Sequence, residues 1–216
     1  MACAMPEDWE ALRSHGVVSR ETQERLQSIV DTLLQWQRKT NLVAPKTLDA
    51  IWTRHILDSA QLVSIKPNAS KWLDIGSGGG FPALVIAALL CEQPGFSITL
   101  VESNHKKTAF LRQAAQRAGM ADCVHVICDR IEKTLVSLDP PQVLTARALA
   151  ALPELLEWSE CLWQKFPQMT ALFQKGREYE SELSDSSALW QFDLVEHSSA
   201  VEADSRILEL NNLRRK

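Results

Sequence analysis

The sequence lacks any long hydrophobic run and any segment built like a secretory signal. Its apolar runs all fall short of the ~20 consecutive residues that a membrane-spanning helix needs. The N-terminal decapeptide MACAMPEDWE is acidic and has no apolar core, so it does not resemble a signal peptide. These absences argue against a membrane or exported protein and predict a cytoplasmic one.

Cysteine is scarce and is not arranged for metal binding. The five cysteines form no Cys-x-x-Cys pair and share no zinc-like spacing with histidine. An odd number of cysteines without an export signal favours reduced thiols in a reducing compartment. The sequence therefore predicts no metal site.

A strong excess of one charge is also missing. The 216 residues carry a formal net charge of −4, which does not by itself indicate a nucleic-acid-binding protein. The charge is unevenly distributed, because residues 1–150 hold 16 Lys/Arg against 15 Asp/Glu, whereas residues 151–216 hold 7 against 12. An anionic partner is therefore expected to contact the first two-thirds of the chain.

Hydrophobic periodicity divides the chain into two parts. Apolar residues recur at helical spacing over residues 20–39 and again over about 47–64. A stretch rich in Pro, Asn and Ser, residues 65–70, is typical of a linker. We predict a small helical N-terminal appendage over residues 1–66, followed by a second domain over residues 67–216.

The second part alternates short apolar strands with helices. The predicted strands cover residues 72–75, 97–102, 124–127, 143–146 and 170–173. The predicted helices cover residues 81–90, 104–118 and 149–163. Such alternation predicts an α/β fold with a mostly parallel sheet and helices on both faces.

The C-terminal region departs from this alternation. Two more strands, at residues 191–195 and 206–210, bring the predicted sheet to seven strands. No clear helix separates these two strands, so we expect them to pair antiparallel at the sheet edge. The polar and acidic residues 178–188 are expected to form a surface excursion.

Glycine is sparse as well, yet four of the eight glycines lie in residues 76–80, inside the stretch KWLDIGSGGGFP (residues 71–82). A strand that runs into a glycine turn and then a helix forms an anion or nucleotide site, because the bare backbone and the helix N-terminus can approach a ligand closely. Gly76, Gly78 and Gly80 form a G-x-G-x-G pattern, whereas the dinucleotide fingerprint requires its third glycine at Phe81. No Gly-Lys-Ser/Thr follows, so the stretch is not a P-loop.

A G-x-G-x-G loop after a strand that contains an aspartate, Asp74, resembles motif I of the class I S-adenosylmethionine (SAM) methyltransferases. In that comparison Asp74 is expected to orient the loop. Glu102 ends the next strand, where an acidic side chain can accept hydrogen bonds from both ribose hydroxyls. Asp129 follows the third strand, where this fold usually contacts adenine. This resemblance implies a Rossmann-like class I SAM-dependent methyltransferase.

Further stretches make the resemblance more specific, and they run in order over about residues 30–176. They are WQRKTNL (36–42), RHILDS (54–59), WLDIGSGGGFP (72–82), KKTAFL (106–111), DRIE (129–132), TARALAAL (145–152) and QKG (174–176). Together they resemble the RsmG (GidB) family, the bacterial 16S (small-subunit) ribosomal RNA guanine-N7 methyltransferases. The combination of RHILDS with the glycine loop is far more specific than either alone.

This resemblance implies methyl transfer from SAM to N7 of one guanine of 16S ribosomal RNA within the small ribosomal subunit, with S-adenosylhomocysteine as product. It also implies that Gly76 and Phe81 line the SAM pocket and that Ile131 and Glu132 contact the adenosine side. Arg147 borders both the cofactor and the target base. Guanine N7 has a lone pair and no proton, so its attack needs no general base and catalysis should consist mostly of positioning.

Arg147 is accordingly the one candidate catalytic residue, expected to steer the base or a nearby phosphate. The candidate cofactor-binding residues are Gly76, Ser77, Gly78, Gly80, Phe81, Glu102, Asp129, Ile131, Glu132 and Arg147. Basic residues around the cofactor are candidates for RNA phosphates. They are Arg38, Lys39, Arg54, Lys106, Lys107, Arg112, Lys175 and Arg177. His55 could stack or hydrogen-bond and is assigned no catalytic role, and the default oligomeric state is a monomer.

Two other functions are compatible with the residues taken alone. A SAM-dependent methyltransferase of a small molecule or a protein would not need basic residues clustered around its pocket. A non-enzymatic nucleotide-binding module would accept a nucleotide while excluding SAM, which Glu102 and the G-x-G-x-G loop disfavour.

Overall fold

The computed structural model describes residues 6–15, 18–139 and 141–216, and seven strands of this part form one sheet. The strands are β1 Lys71–Ile75, β2 Ser97–Val101, β3 Val124–Ile127, β4 Val143–Arg147, β5 Thr170–Lys175, β6 Trp190–Ser198 and β7 Arg206–Arg215. The helices are α1 Pro6–Arg13, α2 Arg20–Gln37, α3 Asp58–Ile65, α4 Ala83–Leu90, α5 His105–Arg117, α6 Ile131–Thr134, α7 Leu152–Lys165 and α8 Tyr179–Leu189. None of these helices is long and apolar enough to cross a membrane.

The strand order is β3-β2-β1-β4-β5-β7-β6. The first five strands pair in parallel, and β7 pairs antiparallel with both β5 and β6. This arrangement confirms the predicted α/β fold with an antiparallel edge. The strand order reverses between β1 and β4, and ligands of such sheets bind in the crevice at the carboxyl ends of the strands flanking that point.

Two apolar layers cover the sheet because neighbouring strand residues point to opposite faces. Trp72 packs with residues of α2, α3, α4 and α5, whereas Leu73 and Ile75 pack with α7. Seven of the eight residues of α4 are buried. This helix is in contact with α2 and α3 as well as with the sheet.

The N-terminal helices and the sheet therefore share one continuous core. Leu26 and Ile29 of α2 are fully buried in the same cluster as α4 and Trp72. The boundary predicted between residues 1–66 and 67–216 separates the N-terminal helices from the sheet along the chain, and its role as a domain boundary stays a prediction. Residues 1–5, 16 and 17 of the first part lie outside the described residues.

Several elements differ from the sequence expectation. The segment predicted as a surface excursion is helix α8. Its pattern is weak because only Tyr179 and Ser186 of its eleven residues are buried. Helix α1 and the single turn α6 were not predicted at all. The helix after the glycine loop begins at Ala83, with Pro82 at its N-cap rather than inside its first turn.

The segment between α2 and α3 is also less regular than predicted. In place of one helix over 47–64, a 3-10 turn at Pro45–Thr47 precedes a π-helical segment at Trp52–Leu57, which continues into α3. π-helical turns are rare and are frequent at functional sites. This one carries Arg54 and His55, both of which contact residues of the site.

Gly80 links the glycine loop to the packing of α4. Its φ is +86°, and a methyl group there would lie 2.4 Å from Leu84 Cδ1 and 3.2 Å from Leu111 Cδ2. Gly119 offers a matched control, since its φ is +68° and nothing lies within 4 Å of an added methyl.

Gly80→Ala is therefore expected to lower the free energy of unfolding more than Gly119→Ala does. Left-handed backbone costs either alanine roughly 1–2 kcal/mol, and the forced movement of Leu84 and Leu111 adds roughly 1–3 kcal/mol for Gly80 alone. Denaturant unfolding followed by circular dichroism measures both. Equal losses would mean that α4 is not packed against the loop as described.

Candidate functional site

The glycine loop begins where β1 ends and is held by the neighbouring strand β2. The N–H groups of Gly76 and Ser77 both donate to the Val101 carbonyl oxygen, at 2.8 and 3.1 Å. Gly76 and Gly78 have φ values of +66° and +50°, a left-handed region that favours glycine. The loop therefore turns sharply at the carboxyl edge of the sheet.

Glu102 lies directly after β2 and is 8% exposed. Its Oε2 accepts the Gly78 N–H at 2.9 Å, and its Oε1 accepts the Asn104 N–H at 2.8 Å. A carboxylate offers about four lone-pair positions, so each oxygen can accept one further hydrogen. Glu102 thus both fixes the loop and can receive two hydroxyl groups of a ligand.

Asp74 supports the loop from below and does not line its cavity. It is 1% exposed, and its Oδ1 accepts the Thr145 hydroxyl at 2.7 Å, which joins β1 to β4. Burial raises the pKa of Asp74 to about 6, an effect that hydrogen bonds from Ser77 and Thr145 oppose. This placement agrees with the orienting role expected from the sequence.

A cavity of about 500 Å³ opens above the loop, a size typical of small-molecule and cofactor sites. Gly76, Ser77, Gly78, Phe81, Glu102, Lys107 and Arg147 were predicted as site residues and do line it. The other lining residues are Leu42, Val43, Ala44, Thr47, His55, Gly79, Ala148 and Leu149. Five of these additional residues belong to the N-terminal part of the chain.

The segment after α2 reaches the glycine loop through Gly79. A methyl group on Gly79 would lie 2.8 Å from the carbonyl oxygen of Leu42, so only glycine allows the two backbones to lie this close. The Gln37 side chain holds this segment by accepting the N–H groups of Leu42 and Val43 and donating to the Val43 carbonyl oxygen. One wall of the cavity is thus supplied by the appendage.

His55 belongs to the same wall. Its ring stacks on Phe81 with centroids 4.8 Å apart, and its Nε2 lies 2.7 Å from the Thr47 hydroxyl oxygen. Because that hydroxyl donates to the Ala44 carbonyl oxygen, Nε2 is the donor in this pair. Burial, followed by Arg147 and Arg54, lowers the pKa of His55 to about 3. The imidazole is therefore neutral at physiological pH and serves as a flat aromatic surface.

Arg147, the last residue of β4, borders the cavity on the opposite side of the glycine loop. Its Nη2 donates to the Arg54 carbonyl oxygen at 2.8 Å, and its Nε lies 3.4 Å from Asp58 Oδ2. Burial lowers the pKa of Arg147 and Asp58 opposes the shift, while guanidinium stays protonated in proteins. Ala148 follows with a φ of +50°, a conformation that is costly for a non-glycine residue and that occurs more often than average at functional sites.

Comparison with solved structures gives the class of protein. The chain is similar to an O-methyltransferase from Bacillus cereus in complex with S-adenosylhomocysteine, at 17% identity and a TM-score of 0.59 over 85% of this chain and 90% of that chain. It is similar to the O-methyltransferase TomG from Streptomyces achromogenes in complex with SAM, at 14% identity and a TM-score of 0.58 over 85% and 89%. The fold is that of the class I SAM-dependent methyltransferases.

Sequence comparison gives the family. The family model of rRNA small subunit methyltransferase G (GidB) matches residues 22–211. The chain is 51% identical to the ribosomal RNA small subunit methyltransferase G of Brucella anthropi and 50% identical to that of Brucella melitensis, over 92% of each chain. The protein therefore belongs to the GidB family, which confirms the resemblance found in the sequence.

Not every predicted cofactor residue reaches the cavity. Gly80 faces α4 and does not line it. Asp129, Ile131 and Glu132 lie at and just before the start of α6, outside the lining. Asp129 Oδ1 accepts a hydrogen bond from the Arg130 N–H at 2.7 Å. Contacts of these three residues with an adenosine group stay a prediction.

The predicted RNA-binding residues differ in exposure, and Lys107, which lines the cavity, is half-buried. The exposed ones are Arg38, Lys39, Lys106, Arg112 and Arg177. The Lys175 side chain is only 9% exposed, because its ammonium lies 2.5 Å from Glu182 and donates to the Ala150 carbonyl oxygen. A phosphate would have to compete with these two partners, and the predicted RNA contact of Lys175 stays a prediction. Arg54 is partly exposed and paired with Glu202.

Replacing Glu102 tests the central assignment of the cavity. If Glu102 accepts both ribose hydroxyls, as the sequence predicts, Glu102→Ala removes two hydrogen bonds to a charged acceptor, and it also removes the acceptor of the Gly78 N–H. SAM affinity is therefore expected to fall by about 1–3 kcal/mol, or ~5–150-fold in Kd. Titration calorimetry measures the change, with Glu157→Ala on the exposed face of α7 as control. Equal Kd values for both variants would remove Glu102 from the site.

Proposed function

We propose that this protein transfers the methyl group of SAM to N7 of one guanine of 16S ribosomal RNA. The observation that carries the proposal is a cavity built at the strand-order reversal of a GidB-family chain and lined by bare glycine backbone together with Glu102, which is hydrogen-bonded to Gly78. The residues fit SAM, because Glu102 can accept two hydroxyl hydrogens while His55 and Phe81 offer flat apolar surface.

Bound SAM would supply an electrophilic methyl group on its sulfonium sulfur: the N7 lone pair would form a bond to the methyl carbon as the carbon–sulfur bond breaks, which leaves neutral S-adenosylhomocysteine and a cationic 7-methylguanine. No residue has to remove a proton in this step, in agreement with the low pKa of His55. The chain's contribution is to hold the base against the methyl group and to exclude water. We assign the holding of the base to Arg147, and its position in the lining of the cavity supports this assignment.

The pairing of Arg147 with Asp58 suits this chemistry. Methyl transfer moves positive charge onto the guanine, and an unpaired guanidinium beside it would oppose that movement. Asp58 Oδ2 lies 3.4 Å from Arg147 Nε and compensates the guanidinium charge. Arg147 can therefore act as a hydrogen-bond donor to the base without a strong repulsive field.

Exposed basic residues around the cavity supply the RNA contacts of this proposal. Lys107 lines the cavity itself, and Lys106 precedes it in the first turn of α5. Arg38 and Lys39 follow α2 and are exposed. Phosphate contacts of this kind make binding salt-dependent. The net charge of −4 predicts weak affinity for protein-free RNA, so we further propose that the substrate is the folded small subunit. We also propose that the protein acts as a monomer in the cytoplasm.

The direct test uses labelled SAM and small ribosomal subunits from a strain that lacks the modification. A single labelled guanine, located by chain cleavage specific for N7-methylated guanine, is expected. Protein-free 16S transcript should be labelled more slowly if the folded subunit is the substrate. SAM binding without label in RNA would overturn the substrate assignment and favour a small-molecule or protein substrate.

Arg147→Ala separates binding from transfer. Relative to wild type, the variant is expected to lower the single-turnover methylation rate by ~10²–10³-fold, as loss of a positioned hydrogen-bond donor does in other enzymes. Its Kd for SAM is expected to change by less than ~3-fold, because the lost interaction acts on the base. Arg20→Ala, an exposed residue of α2 paired with Glu24, is the control. Equal losses in SAM affinity and in rate would make Arg147 a cofactor ligand only.

A further inference from the structure

A second, smaller cavity adjoins the first. It measures about 230 Å³ and shares Arg147 and Ala148 with the larger one as a common wall. Its remaining walls come from the start of α3, the end of β5 and the loop between β6 and β7. Its volume is below the ~300–1,000 Å³ of pockets for drug-sized ligands, and it is suited to a single planar base.

Two polar groups of this cavity are incompletely paired within the described residues. The Gln174 amide is oriented by its Nε2, which donates to the Asp58 carbonyl oxygen at 3.0 Å and to Asp58 Oδ2 at 2.8 Å. Its Oε1 is buried and has no hydrogen-bond partner, and the same holds for Arg147 Nη1. Buried polar atoms are rarely left unpaired, and both atoms belong to residues that line this cavity, so we take a guest of the cavity as the source of the missing donor and acceptor.

We propose that this cavity receives the target guanine, with Arg147 Nη1 donating to O6 and Gln174 Oε1 accepting from N1–H. The proposal rests on the function proposed above and assigns base selection to Gln174, a residue outside the cofactor cavity. In guanine, O6 lies between N1 and N7. A base that meets Arg147 with O6 and Gln174 with N1–H therefore turns N7 toward the cavity that Arg147 also lines.

The polarity of the two groups selects guanine against adenine. Adenine presents an amino donor at position 6 and a bare acceptor at N1, the reverse of guanine. It would place a donor against Arg147 Nη1 and an acceptor against Gln174 Oε1. Leaving both protein groups unpaired is costly, and sites built on buried hydrogen-bonding groups discriminate strongly for this reason.

The charges of the cavity favour a neutral base over a phosphate. Arg147 is paired with Asp58, and Lys175 with Glu182. Arg206 Nη1 donates hydrogen bonds to the carbonyl oxygens of Ala203 and Ser205. Since the cationic groups are already paired or engaged, little uncompensated positive charge is left for an anion. Enzymes that modify a base take it out of the stack into such a pocket.

Base analogues at the methylated position test the proposal with the wild-type protein. Small subunits are reconstituted with guanine, inosine or 2-aminopurine at the position mapped with labelled SAM, and each rate is corrected for the base's reactivity toward dimethyl sulfate. Inosine keeps O6 and N1–H and should react within ~3-fold of guanine, whereas 2-aminopurine lacks both and should react ~100-fold more slowly. Similar corrected rates for 2-aminopurine and guanine, or a slow inosine, would overturn the assignment.

Gln174→Leu provides the matched variant test. The variant should lower the methylation rate of guanine and leave that of 2-aminopurine unchanged, so that the guanine-to-2-aminopurine rate ratio falls at least ~10-fold. The control is Gln191→Leu, at an exposed position of β6, which should leave this ratio unchanged. An unchanged ratio in folded Gln174→Leu would refute the role of Gln174. If that variant does not fold, the wild-type comparison decides alone. Absence of label on guanine subunits would instead refute the proposed function.

Discussion

The mostly buried carboxylate of Asp58 joins the parts of the chain that build the smaller cavity, and it pairs with Arg147, which lines both cavities. It lies at the start of α3 and contacts Arg147 on β4, Gln174 on β5 and Ser199 in the β6–β7 loop. Burial raises its pKa, and Arg147 opposes this shift. Buried ion pairs add little net stability, yet removing one partner costs about 3–5 kcal/mol. The value of Asp58 is therefore positional.

The cofactor cavity depends on a second constraint, the close approach of backbone at the glycine loop. The Val101 carbonyl oxygen and the Glu102 carboxylate fix the loop from β2, while the Leu42 carbonyl oxygen lies against Gly79 from the other side. Side chains at these positions would separate the elements. The N-terminal helices are thus part of the site as well as of the core, although they precede the sheet in sequence.

Local patterns determined much of the fold and part of the site. Alternating apolar strands and helices predicted the sheet with its antiparallel edge, because a strand's period and length are local properties. The glycine pattern and Glu102 located the cofactor edge for the same reason. Helix α8 was not predicted, because a helix that buries only Tyr179 and Ser186 has almost no hydrophobic periodicity. The π-helical turn at Trp52–Leu57 has no sequence signature at all.

What the sequence by itself determined is the class of fold, the family and the position of the glycine loop. The tertiary structure alone decided which charged residues are available. Lys175 is withdrawn by Glu182, and Arg147 is fixed by Asp58, about ninety residues away in the chain. It also decided that Gln174 Oε1 is buried without a hydrogen-bond partner among the described residues. Pairing between residues distant in sequence depends on how the elements pack, and no local pattern records it.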